Sequence, residues 1–302
     1  MRYHETPVQE IVGIPILERA GVRLLVKRED CNHPEISGNK WWKLKYNIAE
    51  ASASGRPIVT FGGAWSNHIY ATAAASFEAG LRSTGIIRGE KIMPLNATLA
   101  FASEKGMQFR FVDRSTYRLK NSAAFVAQLQ DELGDFYLIP EGGTNELAVK
   151  GCAEFAQMHL ADLAFDHLFL PVGTGGTMAG IVAGLADRRR VAGVAVLKGG
   201  DFLNQEVRRL VDSHAHRSYS NWHILTDYHL GGYARTTPDL IEAIRKMKDH
   251  HNLPLDHVYT AKAFMAILSE AGRGRFARGE TVLLLHTGGL QGSRDILSAK
   301  TS

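Results

Sequence analysis

HLFLPVGTGGTMAGIVAGL, residues 167–185, runs from an apolar segment through Gly173-Thr174-Gly175-Gly176-Thr177 into a helical pattern of small residues. An apolar run without polar alternation fits a strand covered on both faces, and a strand passing through glycines into a helix is the unit of parallel sheets. Backbone N–H groups free of side chains at a helix start make a ready anion site. Thr174 and Thr177 add hydroxyl donors. A P-loop would need Gly-Lys followed by Ser or Thr, which this stretch lacks. A dinucleotide fingerprint would need a third small residue at position 178, where Met178 stands, and an acidic residue about twenty positions on, where Val196-Leu197-Lys198 stand. A single phosphate monoester remains as the ligand to expect, the other reading being a tight turn that binds nothing.

The same alternation extends outward in both directions. Strands are expected at 23–27, 57–61, 83–87, 108–112, 136–139, 167–172, 191–196, 223–225 and 281–286. Helical spacing fills 43–52, 67–78, 115–133, 146–163, 178–186, 238–248 and 261–271. Such a chain predicts an α/β fold of open, twisted, mainly parallel sheets with helices on both faces. Glycine pairs at 62–63, 142–143, 175–176, 199–200, 231–232 and 288–289 follow several of these strands, the side on which α/β sheets bind ligands.

With 302 residues, 45% hydrophobic and 22% charged, the chain can bury a core and form two modest domains. A net charge of +4 with no clustered basic footprint argues against nucleic-acid binding, and Arg188–Arg190 reads as the solvated end of a helix. Cys31 and Cys152 have no metal or disulfide spacing, which suits a reducing compartment. No segment has the length of a membrane span, and MRYHETPVQE lacks the apolar core of a signal peptide. A soluble, cytoplasmic protein is expected. The histidines show no ligand spacing, so no metal is assigned.

Within SGNKWWKLKYNIAEA, residues 37–51, Lys40 opens a helical segment that Ser37 or Asn39 could cap. The positive end of the helix dipole, with partial burial, favours a neutral, nucleophilic amine. A lysine in a first turn is otherwise a solvated surface residue.

The motifs KRED, SGNK, FGGAWSNH, PEGGTN, VGTGGT, VYTAKA and LHTGG follow one another from Lys27 to about Gly289. In that order the chain resembles pyridoxal 5′-phosphate (PLP) enzymes of the tryptophan-synthase-β-like fold, fold type II. The nearest likeness is to the D-cysteine desulfhydrase and 1-aminocyclopropane-1-carboxylate (ACC) deaminase group. The resemblance implies that Lys40 carries PLP as a Schiff base and exchanges the Cα proton. It implies that Asn67 lies beside the ring, that Ser66 with the backbone of Asn67 and His68 takes the substrate carboxylate, and that Gly173 to Thr177 cradle the phosphate. Tyr259 would face substrate or cofactor, and Thr287 would meet the pyridine nitrogen. A hydroxyl there makes a milder electron sink than a carboxylate would, which suits β-elimination. His68 and His286 are expected to be structural.

The resemblance also implies two domains, a smaller one at 46–140 and a larger one at 1–45 with 141–302, with the cofactor in the cleft between them and a homodimer as the assembly. D-cysteine breakdown to pyruvate, ammonia and sulfide is the first activity to expect. ACC deamination, or another PLP-dependent deamination or racemisation, is the second, and a non-catalytic ligand-binding protein of the same fold the third. Four departures bear on the pocket: Trp65, Ile69-Tyr70, Trp41-Trp42 and Leu284, the last standing where ACC deaminases carry a tyrosine. The tryptophans suggest a pocket of altered size, and Leu284 weighs against ACC ring opening.

Overall fold

The computed structural model describes residues 1–293 and Ile296; the other residues at the end of the expected larger domain lie outside the described residues. The strands are β1 (Val8–Ile11), β2 (Arg23–Lys27), β3 (Ile58–Gly63), β4 (Ser83–Arg88), β5 (Gln108–Val112), β6 (Tyr137–Ile139), β7 (His167–Val172), β8 (Arg190–Ala195), β9 (Trp222–Leu225) and β10 (Thr281–Leu285). One sheet has six strands in the order β1-β2-β10-β7-β8-β9, the other four in the order β5-β4-β3-β6. Every pairing is parallel except β1 with β2. The α/β architecture of two mainly parallel sheets is thus the one the sequence implies.

Alternation sorts the large sheet's side chains. Leu168, Leu170 and Val172 of β7 enter one core with Leu283 and Leu285 of β10, while Phe169, Val282 and Leu284 enter the core on the opposite face. Both faces are apolar because helices cover both, which is why β7 and β10 are buried along their whole length. The smaller sheet is likewise covered on both faces, by clusters around Phe61 and Phe125 and around Ile69 and Leu99.

Strand order positions the cleft. In the large sheet β7 has β8 on one side and β10 on the other; in the small sheet β3 has β4 on one side and β6 on the other. The order in which strands are added therefore reverses at β7 and at β3, and loops leaving adjacent carboxyl ends part there to leave a crevice. Residues from the loops after β3, β6, β7 and β10 all line one cavity of about 740 Å³.

Three helices lock the large side of that cavity. A Cβ at Gly180 would meet the Val149 carbonyl oxygen at 2.6 Å, so helix Gly176–Leu185 packs backbone-close on helix Glu146–His159. That helix in turn lies on Asn39–Ser54, where a Cβ at Gly151 would overlap the Trp42 carbonyl oxygen.

Some elements differ from the sequence expectation. β1, with the burial pattern exposed–intermediate–exposed–buried, is a polar edge strand and has no apolar run to betray it. The 115–133 helix is two, Arg114–Arg118 and Ala123–Leu133, because Ser122 caps a fresh start by accepting from Phe125 N–H at 3.3 Å. Helices Pro15–Ala20, Ala97–Glu104 and Phe202–Ala215 were not expected. The last buries Leu203, Val207, Leu210 and Val211, a helical stripe that was there to be seen. Of the basic triplet, Arg188 donates to the carbonyls of Leu185 and Gly184 at 3.0 and 3.1 Å, tying off the helix end, whereas Arg190 begins β8.

Candidate active site

The phosphate-type loop is open to a ligand. Gly175, with φ +81°, is the N-cap of helix Gly176–Leu185 and brings no side chain to its first N–H groups. No side chain caps those orphan donors. Gly173, Thr174, Gly175 and Thr177 line the cavity; Gly176 lies just behind them, against Thr144. Thr174 Oγ1 shares a 2.6 Å hydrogen bond with Thr144 Oγ1, and Asn39 Nδ2 donates to Thr177 Oγ1 at 2.8 Å.

Lys40 faces the same cavity, its Nζ donating to Asn39 Oδ1 at 3.1 Å. Burial brings its pKa down to about 8. The capping expectation is corrected: the helix begins at Asn39, its N-cap is Gly38, and no side chain caps it. Ser37 Oγ donates instead to the Asp30 carbonyl at 3.1 Å.

A second lysine was missed in the sequence. Lys43 is 2% exposed, and its Nζ donates to Gly142 O at 2.5 Å and Thr144 Oγ1 at 2.8 Å. A Cβ at Gly176 would lie 3.3 Å from that Nζ. Burial, helped by the charge of Lys40, brings its pKa down to about 7. It is a buried cation with only neutral oxygens around it, beside an uncapped anion loop. The i, i+3 spacing from Lys40 was the available signal, since such residues share a helix face.

On the opposite wall Ser66 caps helix Asn67–Glu78, its Oγ accepting from His68 N–H at 3.2 Å and Ile69 N–H at 3.3 Å. Its own hydroxyl proton stays available to a ligand. Asn67 lines the cavity and accepts from Gln291 Nε2 at 2.6 Å. The His68 ring is buried between Thr60 Oγ1, at 2.7 Å, and Thr72 Oγ1, at 3.3 Å; burial drives its pKa well down, so the ring is neutral. His286, fully buried, meets the Pro254 carbonyl at 2.7 Å and is not part of the lining.

Tyr259 lines the cavity beside Gly173 and shares a 3.1 Å hydrogen bond with the hydroxyl of Tyr233. Burial holds the Tyr259 phenol well above its ordinary range. Asp256 fixes it from below by accepting from the N–H groups of Tyr259 at 2.7 Å and Thr260 at 2.8 Å. Lys262, fully buried, donates to the carbonyls of His229 at 2.8 Å and Gly232 at 2.7 Å and so ties down the loop that carries Tyr233. Thr287 closes the floor. Its carbonyl accepts from Asn39 N–H at 3.3 Å, and a Cβ at Gly38 would overlap that oxygen.

The departures sort differently from expectation. Trp41 and Trp42 are core residues packed with Tyr3, and Trp42 Nε1 donates to Glu29 Oε2 at 2.8 Å. Ile69 is buried under the small sheet, and Tyr70 stacks on Phe101. Leu284 is wholly in the core and does not border the cleft, so it carries no argument about ACC. Only Trp65, 58% exposed, stands at the rim.

A family model described as pyridoxal-phosphate dependent enzyme matches residues 1–288. The chain is similar to the bifunctional D-cysteine desulfhydrase/ACC deaminase, mitochondrial, of Arabidopsis thaliana, at 31% identity over 96% of this chain and 77% of that one. It is similar to the D-cysteine desulfhydrase of Klebsiella pneumoniae, at 25% identity over 94% of each. A crystal structure of an ACC deaminase homologue matches with a TM-score of 0.82 and 28% identity, covering 98% of this chain and 94% of its own.

Proposed function

The chain belongs to the pyridoxal-phosphate dependent enzyme family, and we propose that it breaks down a small amino acid by β-elimination, as a D-cysteine desulfhydrase does. The observation that carries this reading is the pairing of two lysines of lowered pKa with an uncapped glycine cradle on one wall, facing a serine-capped helix start on the other. The residues fit PLP: free first-turn N–H groups and Lys43 suit a phosphate, and Lys40 is an amine in the same cavity. Among the described residues no helix is long and apolar enough to cross a membrane.

When bound, the cofactor supplies an electron sink for negative charge developing at the substrate Cα. Lys40 would hold the cofactor aldehyde and would serve as the base for the Cα proton; a pKa near 8 leaves part of it neutral at neutral pH. The loop Gly173 to Thr177 and Lys43 would hold the phosphate. The Ser66 hydroxyl, with the Asn67 N–H and the positive end of that helix, would orient the α-carboxylate, and Asn67 would lie beside the ring. Tyr259 stays a neutral hydroxyl held by its hydrogen bond with Tyr233. Thr287 would offer the pyridine nitrogen an alcohol, which would hold no proton there as a carboxylate would. Closure of the smaller domain, 46–140, over the substrate would exclude water. A cytoplasmic homodimer completes the reading.

Product analysis tests it: D-cysteine should yield pyruvate and sulfide. The second reading, ACC ring opening, draws on the names of the same relatives, and 2-oxobutyrate from ACC without sulfide from D-cysteine would replace the first with it. A protein that exchanges no Cα proton in heavy water would be a binder only.

Lys43→Met tests the phosphate end. Cofactor affinity should fall about 10- to 100-fold, the worth of a charge-assisted hydrogen bond, while the Lys40 linkage still forms. Fluorescence titration of apoprotein with PLP measures it; unchanged affinity would remove Lys43 from the cradle.

A further inference from the structure

The cleft lining carries six charged side chains: Lys40, Lys43, Arg88, Lys120, Glu141 and Glu206. Lys40 and Lys43 are committed to the cofactor in the reading above. Lys120 pairs with Glu141 at 3.4 Å, and Glu206 pairs with Arg209 at 2.8 Å. Arg88 is left over. Among the described residues its guanidinium meets no carboxylate; it lies over the Tyr117 ring at 5.6 Å, and Tyr117 in turn donates to Glu141 at 2.7 Å.

Position argues that this cation serves the substrate. Arg88 is the last residue of β4, in register with Gly63 of β3, which opens the loop to Ser66. Its charge reaches the Tyr233 hydroxyl, partner of Tyr259. The α-carboxylate has its own place at the Ser66 helix start, so an anion meeting Arg88 has to be a second one.

We propose that Arg88 reads an anionic side-chain group, so that the preferred substrate is an amino acid whose β-substituent is an oxyanion. This rests on the β-elimination reading and names its substrate class. With a β-phosphate, the Cα proton and the Cβ–O bond are lost and one water is taken up: phosphoserine and water give pyruvate, ammonium and hydrogen phosphate, with no oxidant or reductant. Guanidinium suits such a group because its planar donors match oxyanions two at a time.

The test titrates holoenzyme and its Arg88→Gln variant with both enantiomers of O-phosphoserine, aspartate, serine and alanine, following heat and cofactor absorbance. Arg88 is exposed at a strand end, so the variant should fold. In the wild type the anionic compounds should bind more tightly than the neutral ones. Arg88→Gln should weaken the anionic ones at least about tenfold and leave the neutral ones within about twofold. Equal weakening of both sets, or weakening of neither, overturns the inference and leaves the β-elimination reading standing. Aspartate binding without phosphoserine turnover would confine Arg88 to a carboxylate and overturn the leaving-group assignment. A holoenzyme that binds none of these amino acids yet turns over D-cysteine overturns this inference alone; one that binds none of them and yields no pyruvate from D-cysteine sinks the parent reading as well.

Discussion

Replacing Lys40 by alanine leaves a folded protein that no longer carries PLP covalently and whose turnover has fallen by about a thousandfold or more, the range a positioned proton-transfer group contributes. Borohydride reduction followed by peptide mass spectrometry should find the adduct on Lys40 in the wild type and none in the variant. Lys43 is the internal competitor. Its pKa is lowered further, to about 7, but its ammonium already donates to Gly142 and Thr144 and is almost wholly buried. An adduct on Lys43 in the wild type would reverse the assignment. The amine also leaves a mark on the apoprotein. Its folded pKa of about 8 lies below the ordinary 10.5, so the unfolded chain binds more protons between those values and stability rises with pH across that window. The alanine variant should lose that part of the slope in melting curves taken from pH 7 to 11, while Lys43 and Lys262 still contribute theirs.

Gly38→Ala should cost about 3–4 kcal/mol and lower Tm by roughly 5–10 °C, with loss of cofactor capture as well. Two causes add. At φ +71° and ψ −143° the backbone is in a region open essentially to glycine, and the new methyl would run into the carbonyl oxygen of Thr287. Gly55→Ala separates them: it has φ +66° but nothing within 4 Å of the added carbon, so it should cost only about 1–2 kcal/mol. If the two variants melt together, the close approach at Gly38 is not a constraint. If Gly38→Ala binds PLP normally, the contact between the lysine loop and Thr287 does not position Lys40.

What could be read from the sequence was local. The phosphate loop is contiguous, strand, glycines and helix within residues 167–185, and its open N-terminus follows from glycine alone. Lys40 was weaker: the helix-dipole argument singled out no one lysine, and the resemblance chose it. Lys43, Thr144, Tyr233 and Arg88 were not read because their nearness is tertiary. Lys43 meets partners about a hundred positions away, and Tyr233 meets Tyr259 from a loop that Lys262 ties down. The tryptophans were misread for a geometric reason. At roughly 100° per residue, Trp41 and Trp42 turn away from the face shared by Lys40 and Lys43, so helical periodicity alone would have sent them to the core. Leu284 was misread in the same way across a strand, where alternate side chains leave opposite faces.

The backbone-close seam at Gly151 and Gly180 joins the Lys40 helix to the anion loop through helix Glu146–His159, and the Asn39–Thr177 hydrogen bond joins them directly. On the proposed reading amine and anchor travel as one solid jaw, and the part that gives way to admit a reactant is the other jaw, the one bearing Ser66, Trp65 and Arg88. Descendants of this chain could exchange one diet for another by editing that second jaw while inheriting the first untouched.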